Sequence, residues 1–242
     1  MDSQKLLETV KAFPELQKLK DPIWRLENLY FIKNKQGEKV KFVPNWAQYD
    51  LLNDPHPCQV VLKARQLGIT TFYCIKLLDQ VLWSTYEGKG LVNAGIIAHT
   101  LDDSQSLFVD KLKFTFDHLH PALRVLFRPV GDSAKELRFA NGSSIRVGTS
   151  LRSSTLNYLH ISEMGKISVK YPEKAREIVT GALQTLAPGQ CCYIESTAEG
   201  SEGVYHDIWQ RAYKMKKNNE EFGPLDFKPH FFPWWNEKSC SL

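Results

Sequence analysis

Between Val60 and Thr71 the chain reads Val-Val-Leu-Lys-Ala-Arg-Gln-Leu-Gly-Ile-Thr-Thr: an apolar strand, a short loop holding a glycine, and two hydroxyls opening the next helix. That layout suits an anion, because backbone N–H groups and a helix N-terminus converge on whatever sits over the loop. Lys63, Ala64, Arg65, Gln66, Leu67, Gly68, Ile69, Thr70 and Thr71 are the residues that would surround a phosphate. In the common phosphate-loop pattern a lysine follows the glycine directly. Here Ile69 stands there, and the nearby cations are Lys63 and Arg65 at the front of the loop. The first hydroxyl of such a helix can ligate the magnesium that bridges terminal phosphates, which gives Thr70 a chemical role. A threonine there also serves as a plain helix cap.

Four further segments carry groups of the right type. In Tyr158-Leu159-His160-Ile161-Ser162-Glu163 an acid closes an apolar strand, where a carboxylate can polarise the water that attacks a γ-phosphate. Nucleotide hydrolases usually place Asp-Glu at that point, the first acid helping to hold the metal. Ser162 replaces it here and can hold only a metal-bound water. Cys192 to Gly200 is a strand running into the small polar residues Glu195, Ser196 and Thr197, and polar strand ends converge where open α/β sheets bind ligands. In Phe42 to Tyr49, Gln48 offers a donor and an acceptor for an adenine edge, beside the aromatic Trp46. Arg152, in Gly148-Thr149-Ser150-Leu151-Arg152, can stabilise charge developing on a transferred phosphoryl group. Each segment also has a plain reading: a solvated strand-end glutamate, an ordinary loop, a surface glutamine, a loop arginine. Their order along the chain (base reader, phosphate loop, strand-end acid, polar sensor) favours the functional reading.

The elements that must position these groups follow from periodicity. Strands are expected at 59–62, 94–98, 156–162, 190–196 and 227–233. Helices are expected at 3–20, 70–83, 102–119, from Pro172 onward with Gly189 ending that region, and at 203–216. Val109, Leu112, Phe116 and Leu119 fall at helical spacing. Residues 29–43 read as a hairpin turning at Gly37, and Asn141-Gly142 between Leu137/Phe139 and Ile145/Val147 reads as another. Strands alternating with helices imply an α/β fold: a mostly parallel central sheet with helices on both faces, the Asn141-Gly142 β-hairpin being an insertion. The expected division is residues 1–45 as an N-terminal helix and hairpin flap, and 46–242 as the core.

The chain of 242 residues is 43% hydrophobic and 24% charged, ordinary for a globular protein. Its longest apolar runs fall short of a membrane span, and no apolar stretch follows Met1-Asp2-Ser3-Gln4-Lys5 to act as a secretory signal; an intracellular protein is expected. Cys58, Cys74, Cys191, Cys192 and Cys240 form no C-x-x-C pair and read as free thiols, Cys191 and Cys192 pointing to opposite faces of a strand. A net charge of +4 permits a polyanionic partner without arguing for one.

Taken together, the motifs resemble the ATPase part of the large terminase subunit of tailed bacteriophages. Lys63–Thr71 looks like that family's variant Walker A loop with the lysine moved to the front, and Leu159–Glu163 like its Walker B strand in the subset where serine precedes the glutamate. Ile194–Gly200 is similar to the coupling motif, Phe42–Gln48 to the adenine motif, Ile96–Thr100 to the second core strand, and Phe231–Trp235 to the end of the ATPase domain. The resemblance implies a P-loop NTPase of the additional-strand, catalytic-glutamate type, working on ATP with Mg2+. It implies Glu163 as the base and Arg152 as a charge supplied across a subunit boundary. Lys63 and Arg65 would meet the phosphates, Thr70 (with Ser162 through water) the metal, and Glu195, Ser196 and Thr197 would couple hydrolysis to motion. Implied partners are double-stranded viral DNA read without sequence preference, the portal protein of the procapsid, the small terminase subunit and further copies in a homo-oligomeric ring, in the host cell cytoplasm. No DNA-contacting residue is assigned; the cluster Arg211, Lys214, Lys216 and Lys217 is equally a solvated helix face. The RNase H-like nuclease domain of such subunits is not expected within these residues, so DNA cutting is not assigned to them. Other readings are a helicase-like translocase and a nucleotide-binding packaging component that has lost hydrolysis.

Overall fold

The computed structural model describes residues 14–151, 155–183 and 189–237. Most of the helix expected over 3–20, Arg152 and Cys240 lie outside the described residues. The strands are β1 Phe31–Lys33, β2 Lys39–Lys41, β3 Cys58–Lys63, β4 Asn93–Ile97, β5 Pro129–Ser133, β6 Glu136–Phe139, β7 Ser144–Gly148, β8 Tyr158–Ser162, β9 Cys191–Ser196 and β10 Lys228–Phe232. The helices are α1 Pro22–Asn28, α2 Trp46–Asn53, α3 Ile69–Trp83, α4 Leu101–Ser106, α5 Pro121–Leu126, α6 Met164–Lys170, α7 Pro172–Ile178 and α8 Val204–Lys217.

β1 and β2 pair as a separate antiparallel ribbon. The other strands form one sheet in the order β10-β3-β9-β8-β4-β7-β6-β5. Every pair from β10 to β7 is parallel, and the β7–β6 and β6–β5 pairs are antiparallel. The chain leaves β3, returns through α3 and re-enters the sheet in β4, passing over two positions that β8 and β9 later fill. β9 therefore stands between β3 and β8, an added strand between the phosphate-loop strand and the strand that ends in the acid. The Asn141-Gly142 hairpin forms as expected, but it lengthens the sheet rather than standing apart from it. β7 lies parallel against β4, with Asn93 opposite Ser144. At its turn Gly142 has a φ of +84°, and a Cβ there would fall 2.6 Å from Leu91.

Central strands buried on both faces must be apolar on both, and β3 is buried almost throughout. Alternation then divides the core in two. Val61 and Tyr193 pack under α3 and α4 with Phe72, Ile96 and Phe108. Val60, Ile161, Cys192 and Ile194 pack under α6, α7 and α8 with Met164, Ile167 and Tyr205. Cys191 and Cys192 divide between the two faces, and Cys58, Cys74, Cys191 and Cys192 are all free thiols. No helix among the described residues is long and apolar enough to cross a membrane.

One helix departs from its expected phase. α4 continues through a π-helical stretch, Leu107–Lys113, before Phe114–Asp117 restores the α-helix. The wider turn shifts the buried face by one residue, so Phe108 is 1% exposed while Val109 is 46% exposed. Leu112, Phe116 and Leu119 stay in the core.

The N-terminal segment is fixed to α3 by a buried charge cluster. Arg25 donates to both carboxylate oxygens of Asp79, at 2.9 and 2.7 Å, to the Leu19 carbonyl at 2.9 Å, and to Glu87. The Tyr30 hydroxyl donates to Asp79 at 2.6 Å. Arg25 is fully buried and Asp79 1% exposed, so removing Arg25 leaves the Asp79 carboxylate buried without its countercharge. Arg25→Ala is expected to cost about 3–5 kcal/mol of unfolding free energy. Urea unfolding of both proteins tests this, and a loss below about 1 kcal/mol would mean that the cluster does not hold the segment in place.

Candidate active site

The loop after β3 alternates in hand. Gln66 has a φ of +66° and Gly68 a φ of +68°, with Leu67 between them in the ordinary region. Alternating hand turns successive N–H groups toward one concave side, the geometry of an anion nest, and α3 begins directly behind it at Ile69. The loop is held from three sides. Ala64 N–H donates to the Phe232 carbonyl of β10 at 2.8 Å. Asn45 Nδ2 donates to the Leu67 carbonyl at 2.9 Å, and Gln48 Nε2 to the Leu67 and Gly68 carbonyls at 3.3 and 3.0 Å. Lys35, in the β1–β2 turn, donates to Gln66 Oε1 at 2.7 Å. Asn45 and Gln48 reach the loop because they form the capping box of α2, Gln48 Oε1 accepting the Asn45 N–H at 3.1 Å. The Gln48 amide, read from sequence as an adenine reader, is thus buried and engaged with the loop. Trp46, two residues away, is 36% exposed, meets Phe232 edge to face and donates its indole N–H to Glu237 at 3.0 Å.

Ile69 is 1% exposed in the core, so the residue after Gly68 faces away from the loop mouth. Lys63, at the end of β3, is the buried cation beside it. Period-2 alternation puts Lys63, Glu195, Ser162 and His160 on the α3 face of three adjacent strands. The Lys63 ammonium lies 3.0 Å from Glu163 Oε1 and 3.1 Å from Glu195 Oε2. Glu195 Oε1 accepts the Thr70 hydroxyl at 2.7 Å and the Ser162 hydroxyl at 2.8 Å. His160 Nε2 stands 3.5 Å from the same oxygen, too far for a hydrogen bond. Burial pushes the Glu195 carboxyl up, but Lys63, His160 and Thr70 together overturn that and hold it at about 2. Burial lowers Lys63 and the two carboxylates raise it, leaving it above its ordinary value.

Glu163 adopts left-handed backbone, φ +54°, at the junction of β8 and α6. Its carboxylate reaches Lys63, lies 3.3 Å from Lys166 Nζ and accepts the Thr197 hydroxyl at 3.4 Å. Ser196 points to the opposite face of β9 and accepts the Gly165 N–H at 3.0 Å; a Cβ on Gly165 would fall 2.6 Å from that hydroxyl. A cleft of about 240 Å³ opens beside Thr70, Ser162 and Glu163, lined also by His99, Asp103, Lys111 and Lys166. Arg65 is exposed at the loop front, and Thr71 is half-buried in the first turn of α3.

Lys63, Thr70, Ser162, Glu163, Glu195 and Thr197 are therefore brought together, while Gln48 sits behind the loop. Sequence reading missed His160, Lys111 and Lys166; for Lys166 a signal existed, its position three residues after Glu163 at a helix start. In the basic cluster of α8, Arg211 lies 3.5 Å from Asp226, and Lys216 donates to the Pro229 carbonyl at 3.3 Å.

Two outcomes are expected. Gly68→Ala places a Cβ 2.9 Å from Gln48 Nε2 at a positive φ, so it should cost about 1–2 kcal/mol, and rescue by Gly68→Asn, which tolerates that φ, should be partial. Glu195 has a folded pKa near 2 against an ordinary 4.5. Its contribution to stability is therefore present above about pH 4.5 and lost as pH falls toward 2. The stability gap between the protein and Glu195→Gln, followed by urea unfolding, should be constant near neutrality and narrow below pH 4.5; a gap that widens on acidification would contradict the ion pairs.

No family model matches this sequence, and no curated protein does. Solved structures do match by shape. The Thermus phage P74-26 large terminase ATPase domain is 16% identical at a TM-score of 0.56, over 81% of this chain and 83% of that one. The large terminase of bacteriophage HK97 is 12% identical at 0.61, over 88% of this chain and 43% of that one. The large terminase of a thermophilic bacteriophage, solved in complex with ATP-γ-S, is 12% identical at 0.52, over 82% and 47%. The chain thus spans less than half of the latter two proteins. Its fold is that of the ATPase domain of phage large terminases, a P-loop NTPase with an added strand.

Proposed function

We propose that this chain hydrolyses ATP and uses the energy to move double-stranded viral DNA into a procapsid. The observation that carries the reading is the Lys63 ammonium bridging Glu163 and Glu195 at the mouth of an alternating-hand loop. The triphosphate lies over residues 64–70 and takes Lys63 and Arg65 as its cations, with the base beside Trp46 and the turn that Gln48 anchors. Engaging Lys63 on phosphate frees Glu163, which then orients and deprotonates the attacking water. Thr197, already on the Glu163 carboxylate, and Ser196, on the Gly165 N–H, register the change and pass it to α6. Arg152 from a neighbouring copy supplies positive charge to the transferring phosphoryl group. Phosphoryl transfer is mostly positioning and electrostatics, so few groups suffice.

Magnesium fits the residues present. The Thr70 and Ser162 hydroxyls converge on one oxygen of Glu195, at 2.7 and 2.8 Å, and oxygen groups of this kind suit a hard cation that takes its other ligands from phosphates and water. Thr70, with Ser162 through water, would hold it, and it would neutralise charge on the phosphates. The proposed partners are DNA gripped through its phosphates, the portal protein, the small terminase subunit and further copies in a ring, acting in the host cytoplasm. Residues 1–45 are proposed as a flap on a core of 46–242.

Calorimetric titration of Mg-ATP tests the reading. The protein should bind; Lys63→Ala should bind at least about tenfold more weakly; and Glu163→Gln should bind normally while turnover falls on the order of 10²–10⁴-fold. Turnover should rise with DNA and fall steeply with salt. Binding without turnover in the unaltered protein would favour a packaging component that has lost hydrolysis. No binding at millimolar nucleotide, by either monomer or assembled ring, would sink the proposal.

A further inference from the structure

The carboxylate of Glu195 is the most heavily contacted group in the site. Its Oε1 accepts two hydroxyls, Thr70 at the head of α3 and Ser162 at the end of β8. Its Oε2 is buried and has no hydrogen-bond partner among the described residues; the Lys63 ammonium lies 3.1 Å from it as an ion pair. A countercharge for Lys63 alone would not need this arrangement, since Glu163 already provides one at 3.0 Å. Thr70 also has the wrong geometry for a cap, because its hydroxyl points across the sheet to β9 rather than back to its own helix.

In phosphate-loop enzymes the loop hydroxyl and an acid at the end of the strand two positions away hold the metal between them. That strand end is Ser162 here, which carries no charge. The register explains how the site tolerates it. Ser162 lies directly opposite Glu195 across the β8–β9 ladder, and parallel neighbours are about 4.8 Å apart. A glutamate on the middle strand therefore reaches the volume that an acid on β8 would fill, and Ser162 Oγ marks that volume by its 2.8 Å bond to Glu195.

Building on the nucleotide reading above, we propose that Glu195 is the metal-positioning acid of this site, supplied by β9 in place of β8. It acts through Thr70, Ser162 and water rather than on the reacting atoms. Its role is then to set metal affinity, and Ser162 serves as the spacer that aims it.

The test separates metal affinity from nucleotide affinity. ATP binding is measured calorimetrically with Mg2+ and with EDTA, and Mn2+ binding in the presence of ATP by electron paramagnetic resonance. The proteins are the unaltered chain, Glu195→Gln, and Glu195→Gln combined with Ser162→Asp. Glu195→Gln should lose about 10–100-fold in metal affinity while binding in EDTA changes little, and the double variant should recover the metal affinity. Glu195→Gln that keeps its metal affinity, or that loses binding equally with and without metal, overturns the inference and leaves the nucleotide reading standing. If Glu195→Gln does not fold, the double variant decides: metal affinity near that of the unaltered chain supports the inference, and a folded double variant without it overturns it. An unaltered chain that binds ATP under neither condition overturns the nucleotide reading, and the inference with it.

Discussion

One buried ammonium organises this site. Lys63 sits between Glu163 and Glu195 with 7% of its side chain exposed, and neither it nor Glu195 is tolerable in a protein interior alone. The pairing requires three strands in one order: the loop strand at one side, the acid-bearing strand at the other, and a strand between them long enough to carry a carboxylate to the same depth. Adding Lys166, 3.3 Å from Glu163, the group has two formal positive and two formal negative charges. In the proposed function a triphosphate entering this balanced cluster would bring excess negative charge, which a divalent cation arriving with it would offset.

The remaining elements hold the loop still. Left-handed backbone at Gln66 and Gly68 is strained or entropically costly by itself, and it persists because its carbonyls and side chains are held from outside. α2 grips the two carbonyls from behind, β10 takes the Ala64 N–H, and the β1–β2 turn reaches Gln66. The last contact depends on the N-terminal segment staying docked, which is the work of Arg25 and Asp79 some distance along α3. Loop geometry and N-terminal packing are in this way parts of one support.

Local features are legible from the chain and long-range ones are not. The Asn141-Gly142 turn can be read because two residues determine it, and β3 because a strand buried on both faces must be apolar. That β7 then lies against β4 is a pairing between distant segments with no local mark. The helix after β4 is visible, but its phase is not: Val109 fits α-helical spacing and faces solvent because the π-helical turn moves Phe108 into the core. In the site, Lys63 stands out in sequence as a cation at the end of an apolar strand, while its pairing with Glu163 and Glu195 depends on the fold. Gln48 looks like a base reader because a glutamine beside an aromatic has no local sign that its amide is engaged with loop carbonyls 19 and 20 residues later. Glu195 looks like part of a polar loop entrance because its meaning depends on register with Ser162, which only the folded sheet supplies.

That register also bears on how chemistry could become movement. Glu195 and Ser196 are consecutive on β9 and so face opposite sides of the sheet. One meets Thr70 and Lys63 on the α3 face; the other holds the Gly165 N–H at the start of the helix that follows Glu163. Gly165 packs so closely on β9 that no Cβ fits between them, leaving little slack. Under the proposed function, a change in charge on that face acts on a strand already coupled, one residue later, to the helix that follows Glu163. In the proposed cycle the two sides of β9 cannot respond independently, and the added strand that places the acid also carries the signal away from it.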